Sequence, residues 1–271
     1  MILDEWLASP LAGLALLLLF IGVLILAYRQ RTSGSVASTA QSELRNIEAF
    51  TQIQRAVEMS VEGGQRIHYA LGTGGLYDIA GAAGLAGLAG LYPVSSRTIL
   101  ADRPVITSAG DGSLGLLSEQ VQKKACSMSG GLEYYTPANA VVPGLTPFSY
   151  AAGAAIDAVE SFTATNVLLG NFNSEAVLIS DSGARSGAKN IGGSSSLAGQ
   201  AVLLATCESS LLGEDLFAAS TYLGMVNSAA TGQPGAAEHW QKASLQAQDG
   251  LRWIIIAIII VGLVIELYRG L

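Results

Sequence analysis

Hydrophobic residues are unevenly distributed along this chain, with a long apolar run at each end and shorter alternating runs between them. The first run extends from Leu7 to Tyr28 without a charge. At a rise of about 1.5 Å per residue it is long enough to cross a hydrocarbon core about 30 Å thick. The second run, Trp253 to Tyr268, is shorter and carries Glu266 near its end, where a carboxylate can reach the interface. The pattern predicts transmembrane helices at 7–28 and 251–268.

Each apolar run has an alternative interpretation. The first could be a cleaved signal peptide, because SVASTA at 35–40 resembles a small-residue cleavage site. Its length and the acidic residues Asp4 and Glu5 before it favour a span instead. For the second run, the alternative is a buried core helix.

The positive charges near the two runs predict an orientation. Most of them flank the middle region: Arg29, Arg31, Arg45 and Arg252. Only Arg269 lies on the outer side of the second run. By the positive-inside rule, the middle region faces the cytoplasm and both termini lie outside. We therefore expect an integral protein of the plasma membrane with a cytoplasmic domain.

The middle region begins with a Ser, Thr and Gly-rich linker at 29–41, followed by a domain at 42–250. Apolar residues spaced by three and four predict an amphipathic helix at 42–62 that ends at Gly63 and Gly64. Runs of strand length follow at Ile67–Leu71, Pro104–Ser108, Asn139–Val142, Thr165–Leu169, Ala176–Ser180 and Ala201–Thr206. Helical stretches separate most of them, at Tyr77–Leu91, Ser113–Ser127, Pro147–Phe162 and Ser209–Val226.

This alternation predicts an α/β fold, with a mainly parallel, Rossmann-like sheet flanked by helices and inserted between the two spans. Only GNFNSE separates the runs at 165–169 and 176–180. A connection this short predicts a hairpin and one antiparallel edge.

The stretch LGTGGLYD contains a glycine turn between a strand and a helix. A dinucleotide-binding fingerprint needs a third glycine where this chain has Tyr77, and a phosphate loop needs Gly-Lys-Ser/Thr. Free N–H groups in such a turn can still bind an anion. The candidate ligand-binding residues here are Gly72, Thr73, Gly74 and Gly75, and a plain strand-to-helix turn is the alternative.

Two further loops are predicted at the carboxyl ends of strands, where open α/β sheets bind ligands. Asp111 lies in TSAGDGS and is suited to cap a helix. Ser182 and Arg185 lie in DSGARSGAKNIGG, where the guanidinium could hold a carboxylate or phosphate. We add these three residues to the candidate ligand site, with a solvated turn as the alternative for the second loop.

Four glycines recur at every third position of the next helix: Gly81, Gly84, Gly87 and Gly90. Each costs a helix about 1 kcal/mol relative to alanine, so a compensating gain is expected. A ridge of small residues permits close packing, either within the domain or between subunits.

Charge and composition exclude several classes of protein. Residues 32–250 hold ten Lys and Arg against eighteen Asp and Glu, a net charge of −8, which argues against nucleic acid as a partner. The two cysteines and two histidines have no metal-ligand spacing and complete no catalytic set. His68 is expected to be a hydrogen-bonded sheet residue. We predict no catalytic residue, no metal and no cofactor, apart from a nucleotide or small anion at the glycine turn.

Several segments together, in this order, carry a family resemblance: IHYALGTGGLYD, PVITSAGDGSLGLLSEQVQKKA, PFSYAAGA, NVLLGNFNSEAVLISDSGARSGAKNIGGS, LLATCESSLLGEDLFAASTYLG and AQDGLRWIIIAIII. They resemble an uncharacterised family of bacterial two-span membrane proteins, a domain of unknown function. The resemblance implies the two-span topology and a central α/β domain. It implies no activity, cofactor or catalytic residue.

These observations lead to a functional hypothesis with two alternatives. We expect a membrane-anchored, non-enzymatic protein that forms a homo-oligomer or scaffolds a membrane complex. The first alternative is a ligand- or nucleotide-binding sensor or enzyme that uses the turn at Gly72–Gly75. The second is a small subunit of a larger membrane complex.

Overall fold

The computed structural model describes residues 46–99, 101, 103–159, 163–224 and a few isolated positions, namely 22, 252, 255 and 256. The described residues from 46 to 224 belong to one compact unit. The expected spans at 7–28 and 251–268, and the linker at 29–41, lie outside the described residues except for those isolated positions. A search of the described residues found no helix of the length and apolarity that a membrane crossing requires.

Six strands form one parallel sheet: β1 (Arg66–Gly72), β2 (Ile106–Ser108), β3 (Ala140–Val141), β4 (Thr163–Asn171), β5 (Lys189–Ser194) and β6 (Ser209–Leu211). Their order across the sheet is β3-β2-β1-β4-β5-β6. This is the strand order of the Rossmann fold, in which two β-α-β-α-β halves diverge from the centre of the sheet. The predicted α/β class is confirmed.

Six helices with defined bounds accompany the strands: α1 (Glu48–Gly63), α2 (Gly81–Thr98), α3 (Gly112–Met128), α4 (Pro147–Val159), α5 (Ala176–Arg185) and α6 (Leu197–Thr206). Short 3-10 turns occur at Leu132–Tyr134, Pro137–Asn139 and Gly213–Ala218, the last leading into helical residues 219–224. Helix α2 packs between α1 and α3 on one face of the sheet, while α5 packs between α4 and α6 on the other.

Small side chains form much of the contact between α4 and the face of the sheet that α4, α5 and α6 cover. Ala151, Ala154 and Ala158 of α4 are fully buried against Ala70 of β1 and Leu168 of β4. Alanine on the inner side lets the helix backbone approach the sheet closely. The core on this face therefore depends on close packing as well as on large side chains.

The glycines of α2 are buried within the domain. A Cβ at Gly81 would lie 2.8 Å from the Leu76 carbonyl oxygen, and one at Gly87 would lie 2.2 Å from the Leu169 carbonyl oxygen. Gly84 and Gly90 are also buried, against Gly74 and the Tyr69 hydroxyl respectively. Of the two interpretations of this ridge, the structure shows packing within the domain.

The prediction of a hairpin near residues 165–180 was wrong. Ala176–Ser180, expected to be a strand, forms the first half of α5, and its buried positions Ala176, Ile179, Ser180 and Gly183 follow helical spacing. Residues 201–206, also expected to be a strand, belong to α6. The expected helix at 209–226 instead begins with β6 and a 3-10 turn. Periodicity alone does not distinguish a strand from a buried helix in apolar runs this short.

The strand that the sequence did not reveal is β5. It reads KNIGGS and contains only one large apolar residue. Its glycines make room for neighbours: a Cβ at Gly192 would lie 2.8 Å from Leu203 Cδ2, and one at Gly193 would lie 2.9 Å from Leu211 Cβ. Tertiary packing, rather than strand propensity, places this segment in the sheet.

Candidate functional site

The centre of the sheet contains a topological switch point at the carboxyl ends of β1 and β4. From β1 the chain proceeds towards β2 on one side, and from β4 it proceeds towards β5 on the other. The Thr73 N–H donates to the Asn171 carbonyl oxygen at 2.9 Å, and the Gly110 N–H donates to the Gly72 carbonyl oxygen at 2.8 Å. Ligands of open α/β sheets bind outside such a point. We call this side of the sheet the carboxyl edge.

Contacts with β4 explain two glycines of the turn. Gly72 has φ of +76°, and a Cβ there would lie 2.1 Å from the Asn171 carbonyl oxygen. A Cβ at Gly74 would lie 2.9 Å from Asn171 Cβ. Both positions therefore need glycine for the strand-to-helix turn itself. Thr73 and Gly75 are the half-exposed members of the turn.

Asp111 lies beside the turn and caps α3. Its Oδ1 accepts from the N–H groups of Ser113, at 2.9 Å, and Leu114, at 3.2 Å, and from the Ser113 hydroxyl. These hydrogen bonds, the Ser113 hydroxyl first, lower the pKa of the carboxyl group. A Cβ on Gly75 would lie 3.1 Å from Oδ2. The Asp111 carboxylate therefore already occupies the N-terminus of α3, and its negative charge would repel a phosphate there.

Charge is distributed unequally between the two edges of the described domain. Six acidic residues follow strands or begin helices at the carboxyl edge: Glu48, Asp78, Asp111, Glu175, Glu214 and Asp215. The lysines and arginines of the described domain lie away from this edge. Arg55 lies midway along α1, and the others lie at the opposite edge: Arg66, Arg97, Arg103, Lys123, Lys124, Arg185 and Lys189. Acidic residues such as Glu62, Glu133 and Glu208 partly offset them there, whereas no lysine or arginine of the described domain offsets the acidic residues at the carboxyl edge. The resulting negative potential favours neutral or cationic ligands over phosphates.

The structure does not bring Ser182 and Arg185 to the glycine turn. The segment at 181–193, expected to be a loop at the carboxyl ends of strands, instead comprises the end of α5 and most of β5. Arg185 ends α5 shortly before β5 begins, which places it at the opposite edge of the sheet. Its Nε donates to Asp181 Oδ2 at 2.8 Å, and both side chains are exposed. Of the predicted site residues, the structure brings together Gly72–Gly75 and Asp111.

Sequence reasoning missed a polar rim on the β4 and β5 side of the switch point. The Ser195 hydroxyl donates to Asn171 Oδ1 at 2.9 Å, and the Ser196 hydroxyl donates to Asn173 Oδ1 at 2.6 Å. The signal was present in GNFN and SSS, which span the carboxyl ends of β4 and β5. It was missed because GNFN was interpreted as a hairpin turn.

A row of hydrogen-bonded polar side chains crosses the sheet beneath α4 and α5. We call Ser108, His68, Asn166 and Asn190, from β2, β1, β4 and β5, the polar row. Ser108 Oγ lies 2.8 Å from His68 Nε2, His68 Nδ1 lies 3.3 Å from Asn166 Oδ1, and Asn166 Nδ2 donates to Asn190 Oδ1 at 3.0 Å. All four are buried. The expectation for His68 is confirmed, and burial lowers its pKa to about 4, so the ring is neutral.

Three members of this row have the arrangement of a nucleophile, a base and an orienting group. In a Ser-His-Asn set, the serine would attack a substrate and the histidine would take its proton. Here Ser108, His68 and Asn166 are all fully buried, and the buried Tyr150 hydroxyl lies 3.4 Å from Ser108 Oγ. No substrate reaches the hydroxyl in this arrangement. Among the described residues there is also no group of three or more His, Cys, Asp or Glu that could hold a metal ion.

The fold and the edge define an α/β domain of Rossmann topology with a polar, acidic switch point. A family model described as a domain of unknown function, DUF6754, matches residues 4–270, which include both terminal apolar runs. The chain belongs to this family. No curated protein and no solved structure matches it.

Proposed function

We propose that this is a membrane-anchored, non-enzymatic protein whose α/β domain self-associates through the outward side of α4 and α6. The two terminal apolar runs support the anchor. The arrangement of the domain supports it as well, because residues near its two ends lie together. The Phe50 and Tyr222 rings stack at 4.8 Å between centroids, and Gln54 Nε2 donates to the Tyr222 carbonyl oxygen at 3.1 Å. The two ends of the described domain therefore lie close to each other.

The observation that carries self-association is a pair of exposed apolar stripes on α4 and α6, which we call the outer apolar face. The two stripes flank α5, whose outward side carries the exposed Asp181–Arg185 ion pair. The outer apolar face consists of exposed residues at helical spacing on two helices: Phe148, Ala152, Ile156 and Val159 on α4, and Leu197, Ala201 and Leu204 on α6. Single exposed apolar residues are common, whereas continuous stripes of them mark interaction sites. The α2 glycines are buried inside the domain and do not contribute to this surface.

A matched pair of substitutions tests this function. Leu204 on α6 is 59% exposed and Leu116 on α3, on the other side of the sheet, is 60% exposed. Leu204→Glu should lower the oligomeric mass of the full chain in mild detergent, because a carboxylate in an apolar interface is strongly disfavoured. Leu116→Glu should leave the mass unchanged. Native mass spectrometry measures the oligomeric mass of both variants and of the wild type, and a monomeric wild-type chain would contradict the proposal.

The second candidate function is ligand binding at the carboxyl edge. The switch-point topology favours it, together with the position of the Asp111 carboxylate beside the half-exposed Gly75. Carboxylate and amide oxygens at this edge accept hydrogen bonds, so a hydroxyl-bearing or cationic ligand fits better than a nucleotide phosphate. This candidate needs no self-association.

Thermal stabilisation of the full chain tests the second candidate. We expect an uncharged nucleoside or a polyamine to raise the midpoint of unfolding by mass action, and ATP to have no effect. Thr73→Val, which removes one half-exposed hydroxyl from the turn, should reduce the shift. Stabilisation by ATP alone would contradict our assignment of the ligand class.

A further inference from the structure

The polar row continues beyond the four strands at both ends. On the β2 side, Tyr150 of α4 lies 3.4 Å from Ser108 Oγ and accepts from the Gly72 N–H at 3.2 Å. On the β5 side, Asn190 Nδ2 donates to the Ser180 carbonyl oxygen of α5 at 2.8 Å. The chain of contacts therefore joins the glycine turn at the carboxyl edge to α4 and, through the polar row, to α5.

The two ends of this chain have fixed roles because both are backbone groups. The Gly72 N–H can only donate, and the Ser180 carbonyl can only accept. At the Ser180 end, Asn190 must present its NH₂ group to the carbonyl, so its Oδ1 faces the NH₂ group of Asn166. Asn166 Oδ1 then faces His68 Nδ1, which must carry the proton.

The remaining hydrogen bonds follow from that tautomer. His68 Nε2 is left as an acceptor for the Ser108 hydroxyl. The Tyr150 hydroxyl then donates to Ser108, where Oγ and the carbonyl oxygen both lie 3.4 Å away. Tyr150 in turn accepts from Gly72. The Ser108 hydroxyl, the His68 ring and the Asn166 and Asn190 amides thus each have one self-consistent orientation, and Tyr150 joins them to Gly72 through Ser108. In a buried network, such a full complement of partners fixes one arrangement, because each unpaired group would cost about 1–3 kcal/mol.

The helix above the row is built to admit it. A Cβ at Gly183 of α5 would lie 2.0 Å from Asn166 Nδ2 and 2.7 Å from Asn190 Oδ1. Any larger residue at this position would displace the two amides. The row and α5 are therefore matched to each other.

We propose that His68, held as the Nδ1–H tautomer, is a positioning residue that fixes the glycine turn through Ser108 and Tyr150 and fixes α5 through Asn166 and Asn190. By fixing the glycine turn, His68 would also prepare the carboxyl edge for a ligand, and this part of the inference rests on the second candidate function. The coupling between the glycine turn and α5 does not rest on that function, because the hydrogen bonds that make it exist in the ligand-free chain. Its tests therefore use the protein without any ligand.

The tautomer is tested without any substitution. The chain has two histidines. Ring-¹⁵N labelling of the full chain in micelles gives two sets of signals, and His239→Gln identifies the set that belongs to His68. We expect the Nδ1–H tautomer at neutral pH. An Nε2–H ring, or a ring averaging between the two forms, would overturn the inference.

The coupling is tested with two tyrosines of equal burial. Tyr150→Phe removes the hydroxyl that links Gly72 to the row, whereas Tyr69→Phe removes a buried hydroxyl that donates to the Gly87 carbonyl at 2.8 Å on the other face. In Tyr150→Phe we expect the Gly72 amide to exchange hydrogen about tenfold faster, and the His68 ring nitrogens to shift. In Tyr69→Phe we expect neither change.

Equal effects of the two tyrosine variants on Gly72 and on the ring would reduce the row to ordinary core packing and overturn the inference. Ser108→Ala provides a second test, because it removes the hydroxyl that joins His68 to Tyr150 while leaving the Tyr150 ring and its contact with the residue 108 carbonyl in place. It should shift His68 Nε2 and leave the contact between Asn190 and Ser180 intact, as read from the Asn190 side-chain amide signals. No change at Nε2 would count against the inference.

Discussion

Lowering the pH from about 7.5 to about 5 should destabilise the folded domain through one residue, His68. The ring is fully buried and its pKa is lowered to about 4, whereas in the unfolded chain it is 6.5. Between these values the unfolded state binds a proton that the native state does not, so stability falls as the pH falls. At about pH 5 the linkage amounts to about 2 kcal/mol, and at about pH 7.5 it is close to zero.

The assay is urea unfolding of the full chain in detergent, followed by far-UV circular dichroism at both pH values. His68→Gln is the control, because an amide retains a donor and an acceptor but does not titrate. The variant should be less stable at the higher pH, since it does not satisfy both neighbours, yet it should lose about 2 kcal/mol less on acidification. If wild type and His68→Gln lose equal stability between the two pH values, His68 is not the buried neutral ring described above.

Three other predictions concern packing, thiol reactivity and helix capping. Gly183→Ala should lower the free energy of unfolding in urea by about 3 kcal/mol, because the added Cβ would clash with two amides of the polar row. Gly112→Ala is the control: a Cβ there would have no neighbour within 4 Å, so stability should change by less than about 0.5 kcal/mol. Burial raises the pKa of the buried Cys126 thiol and that of the half-buried Cys207 thiol, the latter to about 12, so both should resist alkylation at neutral pH until urea unfolds the domain. Fast labelling of Cys126 in the native chain would contradict its burial. Asp111→Ala should cost about 1 kcal/mol by leaving the first turn of α3 without its cap, and no loss would mean that solvent replaces the carboxylate.

The fold class could be predicted from the sequence because alternating apolar runs and helical stretches leave few parallel topologies. The first half of the domain was the easier part. β1 and α3 lie close to their predicted bounds, and Gly64 ends α1 with φ of 62°, as a helix stop should. In these elements, local preference and the tertiary environment agree.

The second half could not be predicted for a physical reason. AVLIS in α5 contains β-branched residues but is buried on one helical side only, and KNIGGS in β5 has glycines where a strand usually has bulk. Neighbouring side chains such as Leu203 and Leu211 occupy the space that the glycines leave, and no local pattern records that contact.

The candidate site was only partly accessible to the same reasoning. The glycine turn and Asp111 were found because glycine turns and helix caps have local signatures. Arg185 was misplaced because its position depended on the incorrect strand at 176–180. The polar row was missed because its members come from four strands, and their alignment depends on the sheet register, which pairs His68 with Asn166 and Asn166 with Asn190.

Cross-linking in native membranes tests the central claim, self-association through the outer apolar face, most directly. A cysteine placed at Ile156, which is 70% exposed on α4, should form disulfide-linked or bismaleimide-linked dimers of the full chain. A cysteine placed at Leu116 on the other side of the sheet should not, and the unaltered chain sets the background from its own two cysteines. Dimers at 156 and not at 116 are the predicted result. Equal cross-linking at both positions, or none at 156 while the chain remains folded, would contradict the account.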